Sequence, residues 1–183
     1  MNFVPLSLPD AYAIDLSPRG DERGSYTRLF CANELNHIGL NKPIVNINHS
    51  YSRYQGTIRG VHFQYPPDSE IKIVKCIRGA IWDCIVDIRK SSPTFLKWDA
   101  VELSADNNKM IYIPEGFAHG FQTLTDNVEI IYCVTAFYAP NNEDGLRFDD
   151  PTLKISWPLP PTVVAERSRK HKLITERTNW EGA

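Results

Sequence analysis

Lys72-Ile73-Val74-Lys75-Cys76-Ile77-Arg78, a Gly79 turn, then Ala80-Ile81-Trp82-Asp83-Cys84-Ile85-Val86-Asp87-Ile88 is the stretch that sets the fold class. Both runs are short, apolar and rich in β-branched residues, and glycine separates them, so they read as two strands forming a hairpin. Outward from this pair the pattern repeats. Strands are expected at residues 12–16, 25–30, 44–52, 57–64, 72–78, 80–88, 97–103, 110–113, 116–124 and 128–137, with proline and glycine falling largely between them. A short helix is expected over 32–38, ended by Gly39, and another near 163–170 in a polar tail. No repeat or linker divides the 183 residues, so the reading is one all-β domain over 1–183, a sandwich or barrel with an N-terminal arm and a short C-terminal helical segment. Lys and Arg total 20 against 22 Asp and Glu, a net charge of −2, which argues against a nucleic-acid partner. No apolar run approaches the roughly 20 residues of a membrane helix, and the first residues lack the pattern of a secretory signal. A soluble, cytoplasmic protein without membrane contact is expected. The cysteines Cys31, Cys76, Cys84 and Cys133 lie far apart, without a C-x-x-C pair, and read as reduced thiols with no chemistry.

Polar residues concentrate in three segments that otherwise look like core. The richest is Ile58-Arg59-Gly60-Val61-His62-Phe63-Gln64, followed by Lys72; the second is Ile113-Pro114-Glu115-Gly116-Phe117-Ala118-His119-Gly120-Phe121; the third runs from Tyr132 to Tyr138. Alternation puts His62 and Gln64 on one face of their strand and Arg59 on the other, and a bulge at Gly60 would bring Arg59 round. Pro114-x-Gly116-x-x-His119 is similar to the second motif of cupin barrels. The first motif of metal-binding cupins needs an H-x-H pair, and here Gln64 stands where the second His is expected. A single His with a neutral amide makes a poor divalent site, so the expectation is a cupin-type double-stranded β-helix, or jelly roll, with no metal. A His, a Lys, an Arg and a Tyr converging on one apolar cavity would suit an anionic ligand and proton chemistry.

The chain resembles the dTDP-4-dehydrorhamnose 3,5-epimerase family over nearly its whole length. The resemblance is carried by Asp21-Glu22-Arg23-Gly24, Asn48-His49-Ser50-Tyr51-Ser52, Gly56-Thr57-Ile58-Arg59-Gly60-Val61-His62-Phe63-Gln64, Pro66-Pro67 and Asp87-Ile88-Arg89. Further matches are Ser91-Ser92-Pro93-Thr94-Phe95, Leu103-Ser104-Ala105, the segment from Ile113 to Phe121, and Ile155-Ser156-Trp157-Pro158. What it implies is a homodimer with exchanged arms, acting on a nucleotide-diphosphate 4-keto-6-deoxyhexose for surface polysaccharides such as O-antigen and lipopolysaccharide. His62 is implied as the general base, Tyr132 as the acid on the opposite face, and Lys72 as the stabiliser of the enolate oxygen. No cofactor is implied, since the ketone already activates its neighbours. Arg59 is implied as the diphosphate ligand, Arg23 as a ligand from the partner's arm, Tyr138 as the contact to the nucleotide, and His119 as a pocket residue near the sugar. Tyr132 and Tyr138 are six residues apart, roughly 20 Å if the strand is extended, so they are expected to serve different parts of the ligand.

Three departures from the family pattern bear on the chemistry. The Asp that pairs with the base, in a stretch resembling L-S-x-K-D, is replaced by Ser168 of Ala165-Glu166-Arg167-Ser168, with Glu166 or Asp83 as alternative partners. The Glu of R-G-x-F-x-E is Arg28 and a neighbouring Gln is Asn46; a donor facing the pyrimidine would favour cytosine, so the carrier is dTDP or CDP. The K-x-T-D stretch after Tyr132 is Cys133-Val134-Thr135-Ala136, which leaves open inversion at C3 and/or C5: at both, at C3 alone or, behind these, at C5 alone. A 3,4-ketoisomerase using the same enolate chemistry is a further alternative, and a non-catalytic sugar-nucleotide binder is the other, against which the retained His62, Lys72 and Tyr132 argue.

Overall fold

A computed structural model describes residues 1–177, 180, 182 and 183. In chain order the elements are β1 (Asn2–Pro5), β2 (Tyr12–Asp15), β3 (Arg19–Asp21), β4 (Gly24–Tyr26), α1 (Ala32–Asn36), β5 (Asn46–Ser52) and β6 (Ile58–Gln64). They continue as β7 (Lys72–Arg78), β8 (Ala80–Asp87), β9 (Trp98–Ser104), β10 (Lys109–Ile113), β11 (Phe117–Thr123), β12 (Val128–Val134), β13 (Glu143–Gly145) and α2 (Glu166–Lys170). A 3-10 turn follows at Ile174–Glu176. The chain is thus nearly all-β. Strands pair in a six-stranded sheet, β1-β2-β10-β7-β12-β5, and a five-stranded sheet, β13-β6-β11-β8-β9, while β3 and β4 form a separate ribbon in the N-terminal arm. The named strand ladders are antiparallel.

The all-β class read from the sequence stands, but the hairpin expected around Gly79 does not form. β7 pairs with β10 and β12, whereas β8 pairs with β9 and β11, so the Gly79 turn carries the chain from one sheet to the other. The turn is held from outside: the Ala105 amide donates to the Gly79 carbonyl and the Ala80 amide to Thr125 Oγ1. Near-continuous burial of both strands follows from packing on both faces: in β7 Val74 and Cys76 enter one cluster and Ile73 another, and in β8 Ile81 and Ile85 enter one and Val86 another. Val74, Cys76, Ile111, Ile113, Val128 and Ile130 of one sheet meet Ile81, Ile85, Leu103, Phe117 and Phe121 of the other in the main core. This burial between layers is what holds two antiparallel sheets together.

Element ends differ where local partners override propensity. The strand expected over 25–30 stops at Tyr26 and the one over 128–137 stops at Val134, while β1, β3 and β13 are additional short strands. The tail helix starts only at Glu166, because the preceding segment is extended against β6: the Ile58 amide donates to the Val163 carbonyl and Ile58 bridges Val164. This strap places α2 directly over β6. Gly39, with φ of 103°, follows α1 as expected.

At Gly60 the register between β6 and β11 shifts, as the bulge reading anticipated: His119 lies opposite His62, but Phe121 lies opposite Arg59. Gly60 has φ of +115°, and a Cβ there would come within 2.5 Å of the Gly120 Cα. Two glycines therefore let the strands approach closely and set His62 against His119. Gly60→Ala is expected to destabilise the fold by roughly 2–4 kcal/mol, since it adds both backbone strain and a clash. Urea denaturation checks this; an unchanged midpoint would show that the close approach is not required.

Candidate active site

A cavity of about 420 Å³ opens between the sheets, walled by Asn46, Asn48 and Ser50 of β5, Arg59 and His62 of β6, Lys72 of β7, His119 of β11 and Tyr132 of β12. Tyr138 from the loop after β12, Glu143 at the start of β13 and Arg167 of α2 complete the rim. Strand periodicity explains most of this set. Asn46, Asn48 and Ser50 sit at alternate positions and turn inward, whereas Ile47, His49 and Tyr51 between them are exposed. The bulge at Gly60 puts Arg59 and His62 on the same cavity. Eight residues singled out in the sequence are thus brought together: His62, Lys72, Tyr132, Arg59, Asn46, Asn48, His119 and Tyr138.

His62 is largely buried, and its Nε2 lies 3.3 Å from Ser168 Oγ. Burial first, then the positive charges of Arg167, His171, Lys72 and His119, push its pKa down to about 3. It is therefore a neutral imidazole at physiological pH, with the nitrogen not engaged by Ser168 free to accept a proton. The alternative partners do not reach it. Asp83 accepts from His119 Nε2 at 2.9 and 3.0 Å, and Glu166 pairs with Lys170 on the surface. Lys72 forms an ion pair with Glu70, two positions earlier and just before β7 begins. The Tyr132 hydroxyl has its pKa raised, mainly by burial and then by the charge of Glu70, with Arg59 acting in the opposite sense. Arg59 is held by neutral acceptors: Nε donates to Ser52 Oγ and an Nη to the Tyr51 carbonyl, each at 2.8 Å. Its charge is left for a ligand. Tyr138 donates to Glu143 at 2.8 Å, and Arg167 contacts the same carboxylate at 3.2 Å.

Gln64 is consumed by the scaffold. Its amide donates to the Asp68 and Phe137 carbonyls and accepts from the Ala139 amide. Among the described residues, no three His, Cys, Asp or Glu side chains are grouped to hold a metal ion. The four cysteines are free thiols, Cys76 and Cys84 buried and Cys31 and Cys133 half-buried.

Two expected binding residues are not brought to this cavity by their own chain. Arg23 is exposed on the β3–β4 ribbon and pairs with Asp21 at 2.6 Å. Arg28 pairs with Glu34 at 3.2 Å, which also takes the Met1 amino group at 2.7 Å, so its guanidinium already has a counter-charge within the arm. Conversely, Glu70, Glu143 and Arg167 line the cavity without having been singled out. The period-2 relation of Glu70 to Lys72 was a usable signal. Glu143 and Arg167 reach the cavity through loop and tail packing that no local pattern encodes.

A family profile described as dTDP-4-dehydrorhamnose 3,5-epimerase matches residues 5–176. The chain is 39% identical over 168 residues to dTDP-4-dehydrorhamnose 3,5-epimerase of Shigella flexneri, covering 91% of this chain and 92% of that protein. It is similar to the crystal structure of dTDP-4-dehydrorhamnose 3,5-epimerase from Bacillus anthracis str. Ames with TDP and PPi bound, at 36% identity and a TM-score of 0.91, covering 94% and 99% of the two chains. It is also similar to dTDP-6-deoxy-D-glucose-3,5-epimerase from Legionella pneumophila Philadelphia 1 in complex with dTDP-4-keto-L-rhamnose, at 34% identity and a TM-score of 0.90, covering 95% and 93%.

Proposed function

The chain belongs to the dTDP-4-dehydrorhamnose 3,5-epimerase family, and from that premise we propose that His62, Tyr132 and Lys72 carry the epimerisation of a dTDP-linked 4-keto-6-deoxy sugar in deoxysugar biosynthesis. The observation that carries the assignment of roles is the convergence of a neutral imidazole, an ammonium and a protonated phenol on one cavity. His62 takes the proton from the carbon beside the ketone. The C–H electron pair delocalises onto the ketone oxygen as an enolate, and Lys72 answers that charge. Tyr132 returns a proton from the opposite face and is reprotonated from solvent, as His62 is deprotonated by it. The same cycle serves C3 and C5, since both flank the carbonyl.

Arg59, whose charge has no carboxylate partner among its hydrogen bonds, is proposed to hold the diphosphate, with Arg167 beside it at the rim. Tyr138 stands at the mouth, suited to the nucleotide, with Asn46 and Asn48 offering amides on the inner face of β5 and His119 facing the sugar. Arg23 and Arg28 are proposed to reach this site across a homodimer, from the exposed arm of a second copy. The two packed antiparallel sheets are consistent with a cupin-type jelly roll. Four free thiols suit a reducing, cytoplasmic setting. No helix is long and apolar enough to cross a membrane among the described residues. The relatives favour dTDP and inversion at both centres over a CDP-linked substrate, a C3-only reaction or a ketoisomerase, and the Arg28–Glu34 pair removes the free donor on which the cytosine reading rested.

Proton NMR in D2O with dTDP- and CDP-linked 4-keto-6-deoxyglucose tests the reading. Solvent deuterium is expected at both C3 and C5, faster with dTDP. Exchange at C3 alone, or faster turnover of the CDP sugar, would overturn the corresponding part.

A further inference from the structure

Ser168 lies where the family pattern has the carboxylate that pairs with the base, and it is 1% exposed beneath His62. Three residues on, just past the end of α2, His171 meets the His62 ring edge-on, with centroids 5.8 Å apart. Its Nδ1 lies 3.4 Å from Asp144 Oδ1. Its Nε2 is the one buried side-chain nitrogen or oxygen among the described residues with no hydrogen-bond partner. The space around that atom is tight: a Cβ added to Gly145 would lie 2.5 Å from it. Asp144 is in turn fixed by Arg177 at 2.6 Å and by the Gly145 amide at 2.7 Å. Burial works against its charge, but these bonds and that from His171 hold its carboxyl well below the usual range.

A carboxylate at Nδ1 selects the His171 tautomer with its proton there, which leaves Nε2 as a bare acceptor. A serine hydroxyl both accepts and donates, so Ser168 can take the N–H of His62 at 3.3 Å. It does not hydrogen-bond His171 in this structure; the unpartnered Nε2 is the acceptor open to its O–H when the two approach. We propose that Asp144, acting through His171 and the Ser168 hydroxyl, is the positioning carboxylate for His62. His171 and Asp144 touch no reacting atom; they hold the ring and answer the positive charge it gains on accepting the substrate proton. The proposal rests on the assignment of His62 as base. The charged and titratable groups facing His62 are Lys72 from β7, His119 from β11 with Asp83 behind it, and Arg167 and His171 from α2 and its end. Asp83 is taken up by His119, so Asp144, itself paired with Arg177, is the carboxylate that stands behind His171.

The test is the pH dependence of deuterium exchange in wild type, His171→Phe, Asp144→Asn, Ser168→Asp and the double variant Ser168→Asp/His171→Phe. His171→Phe and Asp144→Asn are each expected to lower kcat about 10-fold or more with little change in KM, as loss of an outer-shell partner typically does. Ser168→Asp supplies the carboxylate directly, so its acid limb should move up toward the ordinary imidazole value of about 6.5. It should also make the His171→Phe change nearly silent, to within about threefold, as expected when the two act through one contact. A folded His171→Phe or Asp144→Asn protein with an unaltered profile overturns the proposal. So does an activity loss that Ser168→Asp does not restore, since a purely structural His171 would behave that way. Asp144→Asn keeps the shape of its site and decides the matter if the Phe variant does not fold. Absence of exchange in wild type would instead overturn the functional reading, so the two failures are distinguishable.

Discussion

His62→Ala is expected to abolish solvent-deuterium incorporation at C3 and C5 and to lower turnover by about 10²–10⁴-fold, the usual contribution of a positioned general base. Binding of the nucleotide sugar should survive, because the proposed diphosphate ligand Arg59 is anchored by Ser52 and the Tyr51 carbonyl rather than by the imidazole. The pH behaviour of wild type belongs to the same prediction. An ordinary imidazole would lose half its basic form near pH 6.5. Here the folded value is about 3, so His62 stays unprotonated as pH falls from 7 to 5. The profile of kcat/KM, which reports the free enzyme, should therefore show no acid limb from His62 in that interval. Stopped-flow or coupled assays across pH 5–8, with isothermal titration for binding, check both parts. Retained exchange in the alanine variant would remove His62 from the role of base.

Tyr132→Phe is expected to separate exchange from inversion. The ring packs against the main core, so phenylalanine keeps the fold and removes only the hydroxyl. His62 can still take a proton, exchange it with solvent and return a deuteron to the same face. Deuterium should enter the substrate with retained configuration, while formation of the epimer falls by about 10²–10⁴-fold for want of the opposite-face acid. The raised pKa of this phenol suits the role, since it stays protonated at neutral pH. NMR resolves the two outcomes in one spectrum by coupling constants and loss of signal. Epimer formed at the wild-type rate would place the donor elsewhere.

Much of the site was legible in the sequence because strands impose a period of two. His62 and Asn48 could be assigned to faces without coordinates, and the glycine at 60 announced the bulge that brings Arg59 beside His62. Ser168 beneath His62 was also readable, from the match of Ala165-Glu166-Arg167-Ser168 to the family's tail stretch, with Glu166 and Asp83 as the alternatives, and the contact is 3.3 Å. What failed was non-local. The turn at Gly79 has the local chemistry of a hairpin, but its flanking strands find other neighbours in two different sheets. The same holds for Glu143 and Arg167, and for His171 and Asp144. They meet only because the extended tail is laid along β6 before α2 begins. No local periodicity records which surface a tail will cover.

The ion pairs inside the cavity recast ligand capture as ion exchange. Lys72 carries Glu70 and Arg167 carries Glu143 as tethered counter-ions, so in the proposed roles an enolate oxygen at Lys72 and a diphosphate oxygen at Arg167 each displace a carboxylate rather than meeting a bare cation. The tether keeps the competing anion at high effective concentration. A stray monoanion then gains one contact for each that it breaks, whereas an anion with several oxygens and a sugar to anchor it gains more than it displaces. In the proposed function, the pocket would thus resist small anions and select one that can engage several groups at once.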